Sequence, residues 1–186
     1  MVLRQRSRSL HKGHAMIAMI ALLAASAGAE ITEGPLAPAD AGKVQCHSPD
    51  IARKVCRSLA YYSLDGRGNY INTATVLLSA SSTVAMEVST PVVVVDGAVC
   101  GVLRAEDLLR GRVVVDGKPM SDERSAPILE QVAASMSRLF GHQICTRYEA
   151  VGDHLIAKGS IDGTHRPDLD QTVIWVSPSA GFTVAP

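Results

Sequence analysis

The dipeptide Asp96-Gly97 constrains the fold of this chain most, because it separates two strongly apolar runs. Residues 92–95 precede it and residues 98–103 follow it. Both residues of a tight two-residue hairpin loop need positive φ, which Gly adopts freely and Asp tolerates, so this pattern predicts a β-hairpin. A second pair, Asp116-Gly117, follows the strand-like residues 112–115. The sequence therefore predicts a sheet that is built from hairpins.

Further strands are predicted where apolar and polar residues alternate, or where β-branched residues concentrate. Val84, Met86 and Val88 alternate with polar or small residues, which is typical of a half-buried strand. The other predicted strands are residues 70–78, 143–151, 154–158 and 171–176. Their short lengths, and the turn residues between them, favour antiparallel pairing.

Two principal helices are predicted, at about residues 49–64 and 122–140. The first follows Ser48, a favourable N-cap, and has Pro49 at its first position. Its apolar stripe recurs at helical spacing at Ile51, Val55, Leu59 and Tyr62. The second carries apolar residues at i, i+3, i+4 and i+7 spacing and is followed by glycine. The predicted fold class is α+β: a mainly antiparallel β-sheet built from hairpins, with both helices packed on one face.

The first 29 residues have the pattern of a cleaved secretory signal peptide. Four basic residues and no acid precede an apolar stretch at residues 15–25, and small residues follow it. We favour cleavage after Ala29 over cleavage after Ala27; an uncleaved anchor is the alternative. Residues 30–45 are rich in Pro, Ala and Gly and are predicted to be a flexible lead-in. Residues 46–186 then form a single disulfide-stapled domain.

Removal of the leader changes the charge of the protein. The whole chain has 18 bases and 18 acids, whereas residues 30–186 have 14 bases and 18 acids, a net charge of −4. This acidic balance argues against a nucleic-acid partner. Aromatic residues make up only 4% of the chain, too few for a base-stacking platform. No apolar run reaches the ~20 residues that a membrane span needs, so we expect no integral membrane span after signal removal.

Four cysteines lie after the leader, at positions 46, 56, 100 and 145. An even number behind a signal peptide predicts structural disulfides and a secreted location, periplasmic or extracellular. Four cysteines allow three pairings. We favour Cys46–Cys56, which would clip the chain onto the first helix, and Cys100–Cys145, which would join two strands separated by a helix.

No catalytic, cofactor or metal site is predicted with named roles. The sequence lacks a G-x-S-x-G elbow, an H-E-x-x-H pair and phosphate-binding glycine patterns. His154 and His165 flank a candidate hairpin, and Asp168 and Asp170 follow closely. Because zinc needs three or four convergent ligands, these four residues matter only if the fold brings them together.

Two functional hypotheses follow. Export, disulfides and the lack of a catalytic motif favour a small soluble exported module, which binds a protein or envelope component as an inhibitor or assembly factor and is not an enzyme. This is an inference by analogy. The alternative is an exported hydrolase or metal-dependent enzyme with a site around His154, His165, Asp168 and Asp170. Convergence of those side chains in a cleft would favour the enzyme.

Overall fold

The computed structural model of the protein describes residues 34–186. The predicted signal peptide, residues 1–29, lies outside the described residues. The strands of the described part are β1 (Val44–His47), β2 (Val55–Cys56), β3 (Ser58–Leu64), β4 (Tyr70–Leu77), β5 (Val84–Val95), β6 (Ala98–Val102), β7 (Arg112–Val115), β8 (Lys118–Pro119), β9 (Gln143–Val151), β10 (His154–Ile161), β11 (Thr164–His165), β12 (Gln171–Val176) and β13 (Thr183–Val184). The α-helices are α1 (Ala37–Asp40), α2 (Ala105–Leu109) and α3 (Asp122–Met136).

Eight of these strands close into an antiparallel barrel, in the order β4-β3-β1-β12-β10-β9-β6-β5. The barrel closes because β5 pairs back with β4, from Tyr70↔Val92 to Leu77↔Ala85. Closure leaves these eight strands without a free edge. A barrel of eight strands has an interior wide enough for packed side chains or one small ligand.

The predicted α+β sheet with two helices on one face is therefore wrong: the protein is mostly β, with a closed barrel and one main helix. The helix predicted at residues 49–64 forms β2 and β3 instead. Ser48 and Lys54 have φ of +48° and +54°, whereas an N-cap and a helix interior need negative φ. The stripe at helical spacing was misleading, because Leu59 and Tyr62 belong to opposite faces of β3.

The other predicted elements agree more closely with the structure. Asp96 and Gly97 have φ of +49° and +75°, and they join β5 to β6 as a tight hairpin. The helix predicted at residues 122–140 is α3, which continues as a 3₁₀ turn through Ser137–Leu139. The helices α2 and α3 pack against β5 and β7 in a cluster formed by Met86, Leu108, Val113, Leu129 and Ala133.

The described part of the predicted lead-in, residues 34–45, forms α1 and the start of β1. Leu36 is only 2% exposed and packs with Val92 and Val99 in one cluster. Tyr62 and Trp175 of the barrel pack against the same cluster, so α1 covers one end of the interior. Composition alone predicted flexibility here, because it does not show that one leucine has an apolar barrel end to occupy.

Two disulfides are present: one ties the barrel strand β1 to β2, which pairs with β13 outside the barrel, and the other joins two adjacent barrel strands. Cys46 of β1 is joined to Cys56 of β2, and Cys100 of β6 is joined to Cys145 of β9. These are the pairings favoured from the sequence, although the first one clips together two strands and not a helix. In the described range, 34–186, no helix is long and apolar enough to cross a membrane.

Candidate binding site inside the barrel

A row of polar side chains shares the interior face of the barrel. Residues that pair across antiparallel strands point to the same face. Gln45 pairs with Ala60 of β3, and Tyr62, two residues further along β3, pairs with Asn72 of β4. His47, two residues after Gln45, lies on the same face of β1 because side chains alternate along a strand.

His47, Tyr62 and Asn72 line a cavity of about 400 Å³, which we call the barrel cavity, whereas Gln45 lies behind them and does not line it. Its lining residues are His47, Ser48, Arg57, Ser58, Ala60, Tyr62, Asn72, Ala74, Val76, Leu77, Thr146, Tyr148 and Gln171. The volume falls within the range of small-molecule sites, about 300–1,000 Å³. No carboxylate lines the cavity, and its one formal cation, Arg57, is exposed. The lining is thus dominated by neutral hydrogen-bonding groups and small apolar ones.

Gln45 holds the centre of this polar group and is fully buried, with 0% exposure. Its Oε1 accepts hydrogen bonds from the hydroxyls of Tyr62 at 2.9 Å and Tyr148 at 3.2 Å. His47 Nε2 lies 3.3 Å from the same oxygen, and Asn72 Nδ2 donates to the Tyr62 hydroxyl at 3.5 Å. We call these five residues the Gln45 network.

Burial keeps the Gln45 network uncharged. Desolvation lowers the pKa of His47 from 6.5 to about 4, with a partial offset from the side chain of Gln171. Burial raises the pKa of Tyr62 well above its usual value, and the neighbouring Tyr148 adds to this. The pKa of Tyr148 is also raised by burial. Near neutral pH the imidazole and both phenols are therefore neutral.

Three polar atoms of the network lack a partner. Five buried side-chain atoms of residues 34–186 have no hydrogen-bond partner, and three of them are Gln45 Nε2, His47 Nδ1 and Asn72 Oδ1. Leaving a buried polar group unpaired costs about 1–3 kcal/mol. Such groups are unusual in native proteins, and their concentration at one cavity calls for a functional explanation.

The four residues of the enzyme hypothesis do not converge. His154 stands at the start of β10, whereas His165 pairs with Ser160 near the end of that strand. Six strand residues at about 3.3 Å each separate the two levels by roughly 20 Å. His154 Nδ1 contacts its neighbour Asp153 at 3.1 Å.

Two of those four residues do meet. His165 Nε2 lies 2.9 Å from Asp170 Oδ1, and Lys158 Nζ lies 3.2 Å from Asp170 Oδ2; we call these three residues the Asp170 cluster. The guanidinium of Arg166 instead donates two hydrogen bonds to the carboxylate of Asp168, at 2.9 and 2.8 Å. Among residues 34–186 no group of three or more His, Cys, Asp or Glu side chains could hold a metal ion. The enzyme hypothesis stays a prediction.

Sequence reasoning missed the Gln45 network. The predicted lead-in ends at Gln45, and no role is predicted for His47. One signal was available: Gln45 and His47 flank Cys46 in the sequence. The side chain of Cys46 is fully buried on one face of the strand, with 0% exposure. Alternation then sends both polar residues to the opposite face. That face could be identified as a barrel interior only after the strand pairing was known.

Comparisons with known proteins identify no relative of this chain. No protein-family model, curated protein or solved structure matches this chain. The functional argument therefore depends on the barrel cavity and on the chemistry of the residues that surround it.

Proposed function

We propose that this protein is an exported, non-catalytic binding protein whose barrel cavity holds a small molecule. One observation carries the proposal: a cavity of about 400 Å³ in the barrel is lined by neutral hydrogen-bonding side chains, among them His47, Tyr62 and Asn72, together with small apolar ones. Such a lining is typical of a small-molecule site. The sequence favoured a protein or envelope component as partner; a cavity of this size inside a barrel favours a small molecule.

Export is supported by the leader pattern of residues 1–29 together with the two disulfides. Disulfides form and persist in oxidising compartments such as the periplasm and the extracellular space. The ligand would accordingly be a molecule of the cell envelope or the surroundings.

Binding is favoured over catalysis because burial lowers the pKa of His47, the histidine that lines the barrel cavity, to about 4, which makes it a weak base. No carboxylate lines the cavity to orient its ring. Its Nε2 faces the amide oxygen of Gln45, which could orient the ring, but a hydrolytic triad also needs a nucleophile that is hydrogen-bonded to the histidine. Neither Ser48 nor Ser58 has a hydrogen bond to this ring within the described residues.

A substitution that fills the barrel cavity with a larger side chain tests the proposal. Ala74 lines the barrel cavity, so Ala74→Phe should occupy it, whereas Thr73→Phe adds the same ring on the outer face of β4. We expect saturation-transfer NMR with a library of small neutral polar compounds to detect binders of the wild type. The Thr73→Phe variant should retain these signals and the Ala74→Phe variant should lose them.

The controls keep this test decisive. Overpacking costs about 1–3 kcal/mol, so a thermal unfolding curve should first show that Ala74→Phe is folded. If Ala74→Phe does not fold, Ala60→Leu supplies a smaller filling group at the same cavity. An absence of binders to the wild type, or equal binding to a folded cavity-filled variant, would refute the proposed function.

A further inference from the structure

We infer that the barrel has a displaceable plug, residues 34–43, and that a ligand in the barrel cavity keeps this plug in place. The plug leaves one end of the barrel as a unit while the barrel stays folded. Its displacement follows from the way in which residues 34–43 are attached. Its coupling to a ligand rests on the proposed function, because the ligand is the one that the barrel cavity holds.

The backbone donors of the plug are satisfied within the plug. Pro38 has no N–H group, and every other backbone N–H group of residues 37–43 donates to a carbonyl oxygen of residues 34–39, at 2.8–3.3 Å. The pairing of β1 with β12 begins at Val44, directly after the plug. Departure of the plug therefore breaks none of these hydrogen bonds and no pair of the strand ladder.

Gly42 supplies a pivot between α1 and β1. Its φ is +77°, and a Cβ at this position would meet nothing within 4 Å. Glycine moves between positive and negative φ with little steric hindrance. Gly42 and Lys43 are both exposed, so the connection to β1 is free of packing. A rotation at this point can lift α1 away from the barrel.

Two apolar side chains and one tyrosine hydroxyl keep the plug seated. Leu36 is 2% exposed and Ala39 is 9% exposed, and both belong to the cluster at this end of the barrel. The hydroxyl of Tyr70 donates to the exposed carboxylate of Asp40 and lies 3.0 Å from each of its oxygens. Segments that are attached by few apolar contacts and by exposed hydrogen bonds open at a low free energy.

The plug and the barrel cavity share two tyrosines. Tyr62 and Tyr148 line the cavity, and both also pack against the cluster that contains Leu36. A ligand that contacts these rings restricts their motion and so preserves the surface on which Leu36 packs. Since each event then orders groups that the other needs, ligand binding and plug seating favour each other by the same factor.

Trp175, the one tryptophan of the chain, reports the position of the plug. It packs against the cluster that contains Leu36, and its ring lies 6.3 Å from that of Tyr62, measured between centroids. Leu36→Asp places a charge in an apolar seat, which favours the displaced plug. We expect this variant to keep the far-ultraviolet circular dichroism of the wild type, with Trp175 emission at longer wavelength and stronger quenching by acrylamide.

Leu64→Asp is the matched control. Leu64 ends β3 at the same end of the barrel, but it is 60% exposed, so the same substitution should leave the emission and quenching of Trp175 as in the wild type.

The coupling is measured by calorimetry with the library compounds that the wild type binds. Leu36→Asp should bind them at least about fivefold more weakly, which is the lower end of typical coupling between sites, and Leu64→Asp should bind them as the wild type does. In the wild type, a saturating compound should reduce the quenching of Trp175 by acrylamide.

The outcomes separate the plug from the proposed function. A folded Leu36→Asp with Trp175 as protected as in the wild type would overturn the plug. If Leu36→Asp does not fold, Leu36→Ala replaces it, and loss of the barrel in both would also overturn the plug, because residues 34–43 would then unfold only with the barrel.

Equal affinity of the wild type and a folded, plug-displaced variant would overturn the coupling and leave the binding function standing. If no library compound binds the wild type, the proposed function fails and the coupling fails with it. The emission and quenching of Trp175 in Leu36→Asp then decide whether the plug is displaceable.

Discussion

The Gln45 network and the Asp170 cluster are two regions in which a histidine gathers hydrogen-bonding neighbours, and they differ in how well those neighbours are satisfied. Asp170 accepts from His165 at 2.9 Å, from Lys158 at 3.2 Å and from the backbone N–H of Gly159 at 3.1 Å. In the Gln45 network, three buried atoms have no partner. Charged residues near the surface complete each other's interactions, whereas the neutral buried group leaves part of its hydrogen-bonding capacity unused.

Electrostatics separates the two regions further. Desolvation acts to raise the pKa of Asp170, but hydrogen bonds from His165 and Lys158 outweigh it and lower that pKa. Asp170 therefore stays ionised. Desolvation lowers the pKa of His47 to about 4, which keeps that ring neutral. The first region is stabilised by charge, and the second depends on the absence of charge.

The largest effect is expected at the centre of the network. Gln45→Leu removes the acceptor shared by Tyr62, Tyr148 and His47, and each stranded donor costs about 1 kcal/mol or more. We expect urea unfolding to show a loss of about 3 kcal/mol in the free energy of unfolding. The exposed Gln143→Leu is the control and should change it by less than about 0.5 kcal/mol. Similar losses for both variants would show that the network has no special role in stability.

A smaller effect is expected from pH. The pKa of His47 is about 4 in the folded protein against 6.5 for the free side chain. The unfolded chain therefore binds more protons between these values, so stability should rise from pH 4 to 6.5 and level off above it. We expect a contribution on the order of 2 kcal/mol, since the half-buried ring retains some solvent contact.

The variant His47→Gln isolates this contribution. The difference in the free energy of unfolding between wild type and variant should vary with pH only in that window. A constant difference from pH 4 to 6.5 would mean that the folded protein tolerates a charged imidazole at this position.

The smallest effect is expected at the Asp170 cluster. Asp170→Asn removes the charge that Lys158 and His165 contact near the surface. The fall in melting temperature should be smaller than that of Gln45→Leu and should diminish at high salt, because exposed ion pairs are weak and screened. Binding of the library compounds that the wild type binds should be unchanged. Loss of that binding in Asp170→Asn would contradict the separation of the two regions.

Local features of this fold were predictable from the sequence, and long-range ones were not. Asp96-Gly97 predicts its hairpin because the turn chemistry is contained in two residues. Closure of the barrel depends on pairing between strands that are distant in the chain, such as β1 and β12. No local sequence pattern specifies the register of such a pair. The first predicted helix is wrong because its apolar stripe does not belong to one face: Ile51 is exposed, and Leu59 and Tyr62 lie on opposite faces of β3. The site could not be predicted either, since Gln45 and Asn72 join one network only through the pairing of β1 with β3 and of β3 with β4.

The bond between Cys100 and Cys145 joins directly opposite residues of β6 and β9, whose intervening segment carries α2, β7, β8 and α3. This excursion is therefore a covalently closed loop attached to the barrel wall. Local opening of the helices need not separate β6 from β9, since the disulfide holds that seam. Amide hydrogens in α3 can consequently exchange by an opening that leaves the barrel and its cavity intact, so the helical segment and the barrel can differ in local stability within one folded protein.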